Sequence, residues 1–212
     1  MTTLLVVFDV DSTLIQEEVI ELLAANAGSL AEVAEVTERA MRGELDFEQS
    51  LRARVKTLAG LDAGVLIEAY DQINLTPGAQ ELIQHVHKVG GKAAAVSGGF
   101  NQLLEPLAQR LGLDYRLANQ LEIIDGKLSG EVIGDIIDKP AKATALRAWA
   151  NELGLELSQT IAVGDGANDL DMLGTAGLGI GFCGKPRVRA AADILVNVND
   201  LSQVIGLIGQ RA

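Results

Sequence analysis

The chain has 212 residues, 48% of them hydrophobic but only 3% aromatic, so a core of ordinary α/β size must be built from Leu, Ile, Val and Ala. Seventeen Lys and Arg against 29 Asp and Glu leave a net charge of −12, which repels nucleic acid and anionic lipid as a whole, so a bound phosphate needs local cationic groups or a metal. A single cysteine, Cys183, excludes an internal disulfide and a cysteine zinc site; no signal peptide or membrane span is expected, and the chain reads as cytoplasmic.

In chain order, the aliphatic run Leu4–Val10 reads as a buried strand. From about Ile15 to Asn74 no buried strand follows. Amphipathic stretches at Val19–Ala27, Leu30–Arg42 and Phe47–Leu58 predict helices there. Next come a helix at Pro77–Val89, a strand at Lys92–Ser97 and a helix at Leu103–Leu111. Alternation around Asp125–Gly126 signals a β-hairpin. Then follow a helix at Pro140–Leu153, a strand at Thr160–Gly164, a helix at Asp169–Ala176, a strand at Gly177–Phe182 and an edge strand at Ala192–Val196. This alternation predicts an α/β, doubly wound parallel, Rossmann-like core over residues 1–14 and 75–212. Residues 15–74 read as an inserted helical cap.

Ligands of open α/β sheets gather at the carboxyl ends of the strands. Three such ends carry Asp9-Val10-Asp11-Ser12-Thr13, Ser97-Gly98-Gly99 and Gly164-Asp165-Gly166-Ala167-Asn168-Asp169, and Lys142 lies near the start of a helix. Asp9 and Asp11, two apart, share a side in extended geometry. Carboxylates so close resist joint ionisation unless a cation such as Mg2+ neutralises them, and Asp165 is the natural third ligand. With that cation, one aspartate serves as nucleophile and the other as general acid. The Ser97 hydroxyl, glycine N–H groups and the Lys142 charge suit phosphoryl oxygens. Lys139, less well spaced, reads as surface.

These motifs resemble those of haloacid dehalogenase-type phosphatases and, among them, of bacterial and archaeal phosphoserine phosphatases, over nearly the whole chain. The resemblance implies that Asp9 is the nucleophile and Asp11 the general acid and base, with its backbone carbonyl on magnesium. It implies further that Asp165 is a metal ligand and Asp169 supports the metal site, while Asn168 contacts substrate. Ser97, Gly98 and Lys142 fall on phosphate-binding positions. In the cap, Met41, Gly43, Phe47 and the run Glu48–Val55 are similar to the same family. Glu18 would meet a substrate ammonium and Arg54 its carboxylate, with Met41 and Phe47 closing over the molecule. Arg52 should face elsewhere. The implied reaction is hydrolysis of O-phospho-L-serine, the last step of serine biosynthesis. With the nucleophile at position 9, an amino-acid-sensing module ahead of it is not expected.

A phosphotransferase, or a phosphatase for another small phosphomonoester, shares these motifs. A signalling receiver domain shares the acidic cluster, but not the insertion of some 60 residues or the Gly-Asp-Gly-x-Asn-Asp segment. Gly179–Gly184 fits G-x-G-x-x-G, yet too little chain follows for a dinucleotide fold. With Lys185 it nearly fits a phosphate-binding loop, but Pro186 stands where Ser or Thr is needed. Both matches are assigned to tight strand–loop packing. His85 and His87 do not share a helix face, Cys183 is expected to be buried, and Trp149 to be a packing residue.

Overall fold

A computed structural model describes residues 2–208. Strand β1 (Leu5–Phe8) is buried along its whole length. Four helices follow: α1 (Val19–Ala27), α2 (Leu30–Met41), α3 (Phe47–Lys56) and α4 (Val65–Asp71). The rest of the chain alternates: α5 (Ala79–Lys88), β2 (Lys92–Phe100), α6 (Asn101–Leu111), β3 (Tyr115–Ile124), β4 (Lys127–Ile133), α7 (Lys139–Glu152), β5 (Thr160–Gly164), α8 (Leu170–Thr175), β6 (Leu178–Phe182), α9 (Pro186–Ala191) and β7 (Ile194–Val196). Among the described residues, seven strands form one sheet in the order β4-β3-β2-β1-β5-β6-β7. All neighbours are parallel except the β3–β4 hairpin.

Alternation along β1 sets the two layers. Val6 and Phe8 face a core shared with Leu82, Ile83 and Val86 of α5 and Leu103, Leu104 and Leu107 of α6. Leu5 and Val7 face Leu146 and Ala150 of α7, Met172 and Leu173 of α8, and Val188 of α9. Helices thus cover both faces, as the doubly wound reading requires.

The predicted first strand runs on to Val10, but pairing stops at Phe8. Beyond Asp9 the chain makes a single wide turn over Val10–Leu14, closed by Ile15 N–H donating to Val10 C=O at 3.0 Å. Ser12 sits there at φ +57, a left-handed conformation that costs a non-glycine residue energy. The chain enters and leaves the helical insertion side by side. Ile15 bridges Leu75, Gln16 N–H donates to Asn74 C=O at 3.0 Å, and Thr76 N–H donates to Leu14 C=O at 2.9 Å.

Several elements went unread in the sequence, among them α4, most of β3, and α9. Helix α4 is short, and Tyr115–Gln120 of β3, with exposed Arg116, lacks a continuous apolar run. The Asp125–Gly126 turn was legible, and both residues take the positive φ that a tight hairpin demands. Beyond the core sheet, this hairpin joins the inserted helices. Gly60 N–H donates to Leu128 C=O at 2.8 Å, Leu128 N–H to Leu61 C=O at 2.9 Å, and Arg52 Nη1 to Val132 C=O at 3.2 Å. Arg52 therefore points at the hairpin, away from Arg54. His87 and Lys92 both pair with Asp114, and Trp149 stacks on Tyr115. Cys183 corrects an expectation: it is exposed, because the chain turns at φ +44 immediately after β6. Among the described residues no helix is long and apolar enough to cross a membrane.

Candidate active site

The carboxyl ends of β1, β2 and β5 lie side by side, as the registers β1–β2 and β1–β5 dictate. Asp9 leaves β1 with its N–H on Val163 C=O at 2.9 Å, and its side chain is buried. Lys142 reaches it from the first turn of α7. That helix starts where it does because Asp138 caps it, accepting from Ala141 N–H at 3.0 Å, with Pro140 just inside. Helical side chains lean toward the N-terminus, so Lys142 is directed at the sheet edge. Its Nζ, 0% exposed, donates to Asp9 Oδ1 at 2.6 Å and to Asp169 Oδ1 at 2.7 Å.

Burial alone would push the Lys142 pKa down, but Asp169 and Asp9 outweigh it and hold the ammonium above its ordinary range. Asp9 is raised well above a normal carboxylate, first by burial and then by Asp169, although Lys142 opposes this. Asp165 is raised by burial, against the pull of Lys185, whose Nζ lies 3.0 Å from Asp165 Oδ2.

Asp169 is fully engaged: Lys142 takes Oδ1, and Gly166 N–H donates to Oδ2 at 3.0 Å. Gly164 makes room for it, since a Cβ there would fall 2.6 Å from the Asp169 carboxylate. Asn168 stands at the lip, half-buried, with its Oδ1 where a Gly166 side chain would be.

Asp9, Asp165 and Asp169 each bring one carboxylate oxygen within 4.8 Å of the others. Among the described residues neither Asp9 Oδ2 nor Asp165 Oδ1 has a hydrogen-bond partner. Hard oxygens with free lone pairs in a cluster of excess negative charge fit a hard divalent cation. Asp9 and Asp165 have the free oxygens, while Asp169 is committed to orienting Lys142. The Asp11 carboxylate lies outside this trio.

Asp11 instead faces the β2 turn. Its Oδ2 accepts from Val19 N–H at 3.3 Å, while buried Oδ1 has no partner among the described residues. Its pKa is raised to about 7 by burial and then by Glu18. A carboxyl that keeps its proton near neutrality and has an unused oxygen is equipped to donate it. Gly99 is the close neighbour: a Cβ on it would lie 3.5 Å from Asp11 Oδ2 and 3.0 Å from Ser97 Oγ.

The insertion contributes the outer wall. Glu18 accepts from Ser12 Oγ at 2.9 Å, with Lys185 Nζ 4.0 Å away. Arg54 is half-buried and anchored by Nε donating to Ser50 C=O at 3.2 Å. Burial lowers its pKa, against the fields of Glu18 and Asp11. Phe47 packs on Gly98, where a Cβ would fall 3.0 Å from Cζ. Met41, at the end of α2, is 83% exposed and is not brought to the site. Lys139 pairs with Asp171 at 2.8 Å and is half-exposed, on the surface as read. Sequence reasoning passed over Lys185, which looked like a broken phosphate loop. It also missed Asn119, a wholly buried amide in a strand that the sequence pattern does not mark as buried.

The chain belongs to the haloacid dehalogenase-like hydrolases, whose family model matches residues 6–174. More narrowly, it is 58% identical over 205 residues to the phosphoserine phosphatase of Streptomyces coelicolor, covering 97% of this chain and 50% of that protein. It is 53% identical to the phosphoserine phosphatase of Streptococcus thermophilus, covering 97% of this chain and 96% of that one. The chain thus spans about half the length of the first relative and nearly all of the second. A solved structure described as a phospho-aspartyl intermediate analogue of phosphoserine phosphatase matches with a TM-score of 0.92 and 42% identity, over 98% of this chain and all of that one.

Replacing Lys142 with Met should cost about 3–5 kcal/mol of stability, because it strands two buried carboxylates without their shared cation. Urea unfolding in metal-free buffer should show this as a lower midpoint with an unchanged slope. An unshifted midpoint would mean that the ion pairs contribute nothing net.

Proposed function

We propose that the chain hydrolyses O-phospho-L-serine to L-serine and inorganic phosphate through a phospho-aspartate on Asp9, with Mg2+ as cofactor. The observation that carries this reading is the pairing of a buried, lysine-bridged Asp9 with Asp11, a carboxyl of raised pKa that has an unused oxygen. It is supported by 53% identity to a phosphoserine phosphatase of nearly equal length.

In this mechanism a carboxylate oxygen of Asp9 attacks phosphorus while the bond from phosphorus to the serine oxygen breaks. Asp11 gives its proton to that departing oxygen. In the second half Asp11 takes a proton from a water, whose oxygen attacks phosphorus, and the bond to Asp9 breaks to release phosphate. Ser97 Oγ, the N–H groups around Gly98 and Lys142 Nζ hold the phosphoryl oxygens and balance their charge. Asp9, Asp165 and the Asp11 backbone carbonyl would hold the magnesium, which when bound supplies further neutralisation of the phosphoryl charge. Asp169 supports that set through Lys142.

Recognition falls to residues 15–74, acting as a cap on the core of residues 1–14 and 75–212. A zwitterionic amino acid needs one anion and one forked cation, and Glu18 and Arg54 carry those charges close enough for each to feel the other. Phe47 and Asn168 complete the enclosure, without Met41, which is exposed. We assign the reaction to the cytoplasm, as the last step of serine biosynthesis, with no nucleic acid or membrane partner.

Three measurements test the reading. Asp9→Asn should fold normally yet release no phosphate, because an amide does not form the acyl phosphate. A phosphate-mimicking beryllium fluoride adduct should form on the native protein and not on this variant, and residual turnover would rule out the covalent route. Chelation should stop turnover and added magnesium restore it; activity that survives exhaustive chelation removes the cofactor assignment. Arg54→Ala should weaken phosphoserine hydrolysis by about 2–5 kcal/mol in kcat/KM, while an aryl phosphate that has no carboxylate changes far less. Equal losses on the two substrates would make Arg54 structural.

A further inference from the structure

The parallel pairing of β2 with β3 runs regularly from Ala94 to Val96 and resumes only at Phe100, opposite Asn119. Ser97, Gly98 and Gly99 therefore leave the ladder at the point where the phosphate is to be held. Their backbone groups need other partners, because the turn is largely buried. One partner is Asn119. Wholly buried on β3, it donates from Nδ2 to Gly98 C=O at 2.9 Å, and its Oδ1 accepts from Ile137 N–H at 2.8 Å.

Both bonds bear on the site. The Gly98 carbonyl and the Gly99 N–H belong to one trans peptide, which is planar, so they point in opposite directions. Fixing the carbonyl toward Asn119 aims the Gly99 N–H the other way, where it donates to Ser97 Oγ at 2.8 Å. Without Cβ atoms at 98 and 99, this peptide could turn over at little cost. The second bond ties the same side chain to Ile137, the residue before the Asp138 cap of the helix that carries Lys142.

We propose that Asn119 is a positioning residue for phosphate. It holds the Gly98–Gly99 peptide so that the Gly99 N–H, shared with Ser97 Oγ, is presented to a phosphoryl oxygen, and it fixes the spacing between that donor and Lys142. Asn suits the position because it is the small side chain that donates to a carbonyl at one end while accepting an N–H at the other. An aspartate keeps the second bond and loses the first.

The inference rests on the phosphatase reading, and the two fail separately. A native protein that leaves phosphoserine intact ends that reading, whereas a native protein that turns over beside an unimpaired variant ends only this one. The experiment is calorimetric titration of Asn119→Asp with inorganic phosphate in saturating magnesium from pH 6 to pH 9. Relative to the native protein, phosphate should bind tenfold or more weakly at the alkaline end. The magnesium dissociation constant should stay within about twofold. Phosphate affinity equal to native across the range, or a matching loss of magnesium affinity, overturns the proposal. Should the variant not fold, the native protein still decides. Its Gly99 amide resonance should shift on adding inorganic phosphate, and an amide that stays put while phosphate binds overturns the assignment.

Discussion

One buried ammonium governs the architecture of this site. Three carboxylates at the ends of two neighbouring strands repel one another, and burial raises that repulsion by removing water. Lys142 relieves it by lying between Asp9 and Asp169. Much of the local sequence follows from that. The start of α7 must fall where its first turn overhangs β1, so a capping Asp138 and an early Pro140 are placed to begin it there. Position 164 must be glycine, because any Cβ would strike the Asp169 carboxylate. Gly166 must offer its N–H to the second Asp169 oxygen, which leaves that residue no freedom to swing away.

The acidic cluster and the helical insertion are different parts of the chain, and the turn after β1 joins them. The nucleophile candidate lies on the strand side of that turn, and Glu18 on the insertion side. Ser12 holds the two in register, with a strained backbone and a hydroxyl bonded to Glu18. The strain is tolerated because bonds from its N–H and its hydroxyl over-determine the conformation. The raised pKa of Asp11 is a product of the same junction, since Glu18 adds its field to the effect of burial. A substitution at Glu18 would therefore alter the acid strength of Asp11.

Much of this was legible in the sequence because it depends on short-range pattern. Strand ends bearing aspartates, the glycine-flanked loop and the amphipathic periods of α1 to α3 are local signals, and the structure puts those strand ends side by side. What escaped depends on contacts between distant segments. The pairing of the β3–β4 hairpin with residues 59–63 leaves no periodic trace, because the partner strand is a loop. Asn119 looks like any interior asparagine until its two partners, 21 and 18 residues away, are known. Lys185 was set aside on a motif test that asked about nucleotides, when its actual partner was a carboxylate across the sheet. Cys183 was misjudged because the left-handed turn after β6 is invisible in composition.

The paired crossing at Ile15 and Leu75 gives the fold a splice point. Chain leaves and re-enters the sheet layer through two facing residues whose neighbours are hydrogen-bonded, so the core experiences the insertion as a loop whose ends are already joined. Closing such a loop costs more as it grows, but only logarithmically with its length. The helices between the two residues can therefore be lengthened, shortened or exchanged with little strain on β1 or β2. The strand-end cluster can in this way stay unchanged while a single contiguous stretch of sequence is rewritten, provided the new stretch still seats against the hairpin.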